Sequence, residues 1–152
     1  MSYPKLDRKT KNYCGVICNE VLAKRKGNKK LTKWDYPAMA VSCSEDPNKS
    51  GVSDYSRGVV DRSYSSPYAH ELKDALMVVL RREGRPEQLG SRTNCGNRIG
   101  RCAEQHAANK LMTTRKKTIP LGDICFSKAL RPRTLEIRDY CNNCKNVFPS
   151  LL

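Results

Sequence analysis

The sequence predicts one α/β domain spanning 1–152, with helices on both faces of a sheet in a three-layer α/β/α sandwich. Two observations predict it. Segments with apolar residues three and four apart alternate with short Val-, Ile- and Cys-rich runs, in the order helix, strand pair, helix, helix, strand, helix. No composition shift, internal repeat or low-complexity tract divides them, and a chain of this length buries about two-thirds of its unfolded surface.

The elements follow in order. Residues 12–25 place Tyr13, Val16, Ile17, Val21 and Leu22 at helical spacing, with Gly27 as the expected C-cap. Residues 36–43 read as a buried strand, and 44–56, rich in Asp, Asn, Pro, Ser and Gly, as a loop. Residues 58–61 read either as a short partner strand or as the loop's return. Pro67 opens a helix through Arg82, with Leu72, Leu76, Val79 and Leu80 on one face and Gly84 stopping it. Residues 84–100 form a second long loop, the kind that in a compact domain carries function. Residues 101–113 read as a helix and 123–127 as a strand, with 135–138 as its continuation or hairpin return. Cys141 opens a last short helix that breaks at Pro149.

Charge narrows the partners. A net charge of +14 on 152 residues makes a field that attracts polyanions. Nucleic acid is the leading partner and an anionic membrane surface the second. No window holds the roughly eighteen apolar residues that span a bilayer. Residues 1–10 show no apolar core of a secretory signal. Eight cysteines could build a disulfide framework in a small secreted domain. Here Cys14, Cys18, Cys43, Cys95 and Cys125 lie mostly among apolar neighbours, where a free thiol packs as a small hydrophobe. Reduced thiols, and a cytoplasmic site of action, are the expectation.

The remaining three cysteines carry the chemistry. Cys102-Ala103-Glu104 stands at a helix start, and Cys141-Asn142-Asn143-Cys144 follows about one helix and one strand later. Either motif alone is common; their order and separation are restrictive. Three soft ligands suit one Zn²⁺ and leave its fourth position for water, whose pKa falls to roughly 7 in favourable sites. Helix N-termini favour the thiolate form that binds metal. A carboxylate beside such a metal can carry protons.

With these motifs, 100–146 resembles the cytidine deaminase-like superfamily. Gly100-Arg101-Cys102-Ala103-Glu104-Gln105-His106-Ala107-Ala108 looks like the catalytic helix of its three-cysteine branch, closest to the deaminase domains of bacterial polymorphic toxins. The resemblance implies a deaminase-like sandwich, a zinc ion on Cys102, Cys141 and Cys144, and Glu104 as proton shuttle. It implies a base in DNA or RNA as substrate, cytosine to uracil, with the Ala103 backbone, Asn94 and Asn97 lining the pocket. It further implies a toxin or effector, delivered as part of a longer secreted protein and neutralised by an acidic immunity protein. The chain departs from the family where many members carry proline before Cys-x-x-Cys. Tyr140 there either loosens the second ligand helix or supplies a stacking ring.

Rival readings stay open. His106, one turn after Cys102, could close a four-ligand structural zinc site, giving a non-catalytic nucleic-acid-binding module. A free nucleoside or nucleotide deaminase is the third reading. His70-Glu71 has the wrong spacing for His-x-Glu and reads as a surface pair. Trp34, Tyr36, Tyr55, Tyr64 and Tyr68 could stack bases, although packing is the commoner role for each. Arg115-Lys116-Lys117 and Arg131-Pro132-Arg133 flank the site and are candidate phosphate contacts.

Overall fold

The first helix begins earlier than its apolar spacing suggests, because Pro4 supplies a preset φ at the first helical position. In the computed structural model, which describes residues 3–59 and 61–152, α1 runs Pro4–Ala23 and ends on Lys24, so Gly27 lies beyond its cap. It buries Leu6, Thr10, Cys14 and Ile17, while Val16 and Leu22 stay about half exposed. The stripe is displaced because its second member is polar. The Thr10 hydroxyl lies 2.5 Å from Ser127 Oγ, and hydrophobic patterning cannot register that satisfied contact.

The sheet is five-stranded and antiparallel throughout: β1 (Ala40–Ser44), β2 (Val52–Tyr55), β3 (Cys125–Phe126), β4 (Ala129–Leu130) and β5 (Ile137–Arg138). Its order is β2-β1-β4-β5, with β3 also pairing β1. All five β1 residues are buried, and the strand starts four residues later than expected. The loop expected over 44–56 contains β2. Its buried Ser53 and Asp54 hide the strand signal, because Ser53 pairs with the Ser42 hydroxyl at 2.6 Å and Asp54 is held by Arg57. Gly51 closes the β1–β2 hairpin, where a Cβ would stand 1.9 Å from the Cys43 carbonyl oxygen. The strand expected over 58–61 does not form: Gly58 and Val59 are irregular, Asp61–Tyr64 is a 3₁₀ turn, and Val60 lies outside the described residues.

β3 and β4 are one strand interrupted. The register against β1 shifts by one residue between Cys43↔Phe126 and Ala40↔Leu130, so an extra residue bulges at Ser127–Lys128. Asp7 accepts from the Lys128 amide at 2.8 Å, and Ser127 Oγ accepts from the Ser42 amide at 2.9 Å. The bulge thus ties α1 to the sheet.

Helix α2 (His70–Arg82), led by a 3₁₀ turn at Pro67–Ala69, buries the four apolar residues its periodicity marks. Helix α3 (Ala103–Arg115) starts and ends two residues later than expected. Helix α4 (Asn142–Val147) starts one residue after Cys141. Cys102 and Cys141 are therefore caps rather than helical residues. The two sides of β1 feed different cores. Ala40 packs with Cys14 and Ile17 of α1, whereas Val41 and Cys43 join the larger cluster built from α2, α3 and α4. No helix among the described residues is long and apolar enough to cross a membrane.

Candidate metal centre

Each of the first two thiols is placed by a break in regular backbone. Gly100 precedes Cys102 with φ +85, and a Cβ there would press within 3.3 Å of the Leu89, Tyr64 and Val59 side chains. That turn delivers Cys102, in extended backbone, as the N-cap of α3. Cys141 is the N-cap of α4 in the same conformation, and Cys144 sits one turn into that helix, fully buried.

The fold brings these thiols together across about forty residues of chain. Cys102 Sγ lies 3.2 Å from Cys141 Sγ, which is 3.5 Å from Cys144 Sγ. All three sulfurs fall within 4.8 Å of one another, the one such metal-competent group of three or more among the described residues. Tetrahedral zinc–thiolate bonds of about 2.3 Å need sulfur spacings comparable with these. All eight cysteines are free thiols in this structure.

Electrostatics fit a cation between them. Hydrogen bonds from Cys102 and Cys144 pull the Cys141 thiol down to about 3, making it the thiolate of the trio. The bond to Cys141 pushes Cys102 upward, and burial pushes Cys144 upward. Three thiolates in so dry a space require a bound positive charge, and metal binding would release the remaining protons.

Glu104 lies beside this trio, 1% exposed. Its Oε2 accepts from Cys144 Sγ at 3.4 Å, while its Oε1 is buried without a partner. Burial raises its pKa to about 7, with the Cys141 charge acting in the same direction. An unpaired buried carboxylate oxygen is costly, by about 1–3 kcal/mol or more, unless a ligand completes it.

His106 turns away from the thiols. Its Nε2 faces the Arg57 carbonyl oxygen at 3.3 Å, its ring packs 5.6 Å from Tyr64, and burial lowers its pKa. It therefore does not close a fourth ligand position. His70 is exposed, its Nδ1 2.9 Å from the Pro67 carbonyl, as a surface histidine should be.

The candidate pocket residues separate. Ala103 is fully buried in the main core, leaving its backbone as the part able to face a ligand. Asn97 is exposed; its carbonyl accepts from Asn143 Nδ2 at 3.5 Å and its side chain helps hold the Cys141 thiol down, so the long loop does reach the thiols. Asn94 Oδ1 accepts from Arg85 at 3.0 Å and its backbone amide donates to Glu83 at 2.7 Å, and it lines a cavity of about 430 Å³ with Asn142 and Asn143 of α4. Tyr140 is partly buried against the main core. Its hydroxyl donates to the Ser127 carbonyl at 2.7 Å and anchors the approach to Cys141 on the β-bulge.

Several site residues carried no usable signal. Gln105 accepts from the Gly100 amide at 2.6 Å and donates to Cys144 Sγ at 3.4 Å, linking the first-ligand turn to the third ligand. Thr93 donates to Asn143 Oδ1 at 2.7 Å and so pins the 84–100 loop to α4. Tyr64 donates to the Gly100 carbonyl at 2.8 Å. Asn143, between the two cysteines of Cys-x-x-Cys, is the one that position alone could have flagged.

No protein-family model matches the chain, and neither the curated proteins nor the solved structures contain a match.

Proposed function

We propose that the chain is a zinc-dependent hydrolytic deaminase acting on a base within nucleic acid, converting cytosine to uracil. The observation that carries this reading is the buried carboxylate of Glu104, one oxygen unpartnered, beside three converging thiols with no fourth protein ligand among the described residues. Cys102, Cys141 and Cys144 would hold the zinc ion, which would supply Lewis acidity and bring a water towards ionisation near neutral pH. Glu104 takes a proton from the attacking water and delivers protons to the ring nitrogen and the departing amine. Water supplies the new carbonyl oxygen and both transferred protons, the exocyclic C–N bond breaks, and ammonia leaves. The enclosure of Glu104 limits competing water, and Gln105 holds Cys144 and the Gly100 turn in register.

Helices on both sides of β1 support the three-layer deaminase-like sandwich. The outward turn of His106 disfavours a closed structural site. A +14 field favours a polymer over a free nucleoside. The resemblance in 100–146 supports the reading of a toxin or effector acting in a target cytoplasm, with an acidic immunity protein as its protective partner.

The test exposes mixed single- and double-stranded DNA and RNA pools to wild type and Glu104→Ala, then sequences them. Wild type should write C-to-T changes, and Glu104→Ala should fall by about 10²–10⁴-fold, the usual worth of a general acid–base. A folded Glu104→Ala protein with full activity would overturn the mechanism. Turnover of free cytidine with untouched pools would move the substrate to nucleosides.

A further inference from the structure

Beyond the metal centre, the pairing of β1 with β4 creates a second feature. Because Ala40 at the start of β1 pairs antiparallel with Leu130 at the end of β4, the chain entering β1 and the chain leaving β4 emerge side by side. This joins two segments almost a hundred residues apart around a cavity of about 390 Å³. Its walls include Lys33, Trp34 and Tyr36 from one segment and Arg131, Arg133 and Arg138 from the other. Pro132, buried, is held against α1 by the Cys18 thiol, which donates to its carbonyl at 3.2 Å.

Trp34 is the chain's single tryptophan and is 83% exposed, so the core gains almost nothing from it. The Lys33 ammonium sits 4.9 Å from its ring centroid. Glu136 is the acid of this cleft and pairs with Arg138 at 3.2 Å and Arg131 at 3.7 Å. Arg133 has no ion pair among the described residues, so the cleft keeps an excess of positive charge. Pro37 also lines a neighbouring cavity of about 500 Å³ that carries Lys24, Arg25, Lys26 and Lys29, so the basic surface runs on. In the other direction, Arg138 ends edge strand β5 only three residues before Cys141. Three extended residues span about 10 Å.

We propose that this cleft is a single-strand nucleic-acid track, with one unpaired base stacked on Trp34 and the flanking phosphates on Arg131, Arg133 and Arg138. An indole presented among guanidinium groups matches the two parts of a nucleotide, a flat base and a phosphate. A duplex offers no free base face for the ring, so the surface selects unpaired strands. The proposal rests on the reading that the substrate is a nucleic acid, and it adds how the strand is led to Cys141.

The sole tryptophan makes the test local. Mixed-sequence single-stranded DNA, single-stranded RNA, the matching duplexes and heparin are titrated into wild type while indole emission is followed. Labelled-strand anisotropy is then measured for Trp34→Ala, Trp34→Phe and Arg133→Ala. Single strands should quench the emission, while duplex and heparin should not. Trp34→Ala should weaken single-strand binding roughly 5- to 100-fold, and Trp34→Phe should restore most of it. Arg133→Ala should reduce the log–log salt slope by about 0.7. The DNA and RNA arms identify the preferred sugar. Single-strand binding with unchanged emission, equal quenching by heparin, or Trp34→Ala within twofold of wild type would each overturn the track. Base conversion with silent emission would sink the track alone; quenching without conversion in any pool would sink the deaminase reading alone.

Discussion

The two faces of β1 are built from different materials. On one, α1 meets the sheet through a small apolar cluster of Cys14, Ile17 and Ala40, together with hydroxyl contacts from Thr10 to Ser127 and from Ser42 to Ser53. On the other, Val41 and Cys43 enter a continuous core with Leu72, Leu76, Leu80, Leu111, Met112 and Phe148, into which Cys102 and Cys144 are set. The thiol cluster therefore sits where the surroundings are dense and cannot relax, which suits groups that must stay within a few tenths of an ångström. The α1 face carries none of the three thiols, and its polar contacts instead fix the Ser127–Lys128 bulge. The difference teaches that rigidity is concentrated under the thiols.

The comparison can be broken by cavities. Leu76→Ala, in the large core, should cost about 3–5 kcal/mol in urea unfolding, whereas Ile17→Ala should cost about 2, because the thin α1 cluster can collapse around the gap. Equal losses would mean that the two faces are equally rigid. A smaller effect sharpens it at the edge. Leu135 holds φ +60 in the β4–β5 turn, a left-handed conformation costly for a branched side chain, and is 40% exposed. Leu135→Gly should raise stability by up to about 1 kcal/mol in thermal unfolding. A loss there would show that the exposed side chain contributes packing that its position does not suggest.

Legibility in the sequence followed the same division. Helix α2 was readable because all four of its buried residues are apolar and fall on one period. The thiol cluster was readable because its spacing is set by chemistry: two helix caps and one residue a turn further on. Where burial is achieved with polar atoms, the pattern fails. The α1 stripe was displaced by Thr10, and β2 was hidden by Ser53 and Asp54. Asn94 was expected at the site because it shares a loop with Asn97. The sequence does not reveal its contacts with Arg85 and Glu83. The meeting of Trp34 with Arg133 depends on the pairing of β1 with β4, a long-range fact that no local window contains. Tyr140 was ambiguous for a similar reason, since its partner, Ser127, is a bulge residue thirteen positions away.

The central claim is that three thiols hold one metal, while Glu104 stands beside it and His106 plays no part in holding it. Native mass spectrometry of the zinc-loaded protein tests this directly, with Cys144→Ala, Glu104→Ala and His106→Ala alongside wild type. Wild type, Glu104→Ala and His106→Ala should each carry one zinc, and Cys144→Ala almost none. Zinc lost from folded His106→Ala, or retained at full occupancy by Cys144→Ala, would contradict the claim.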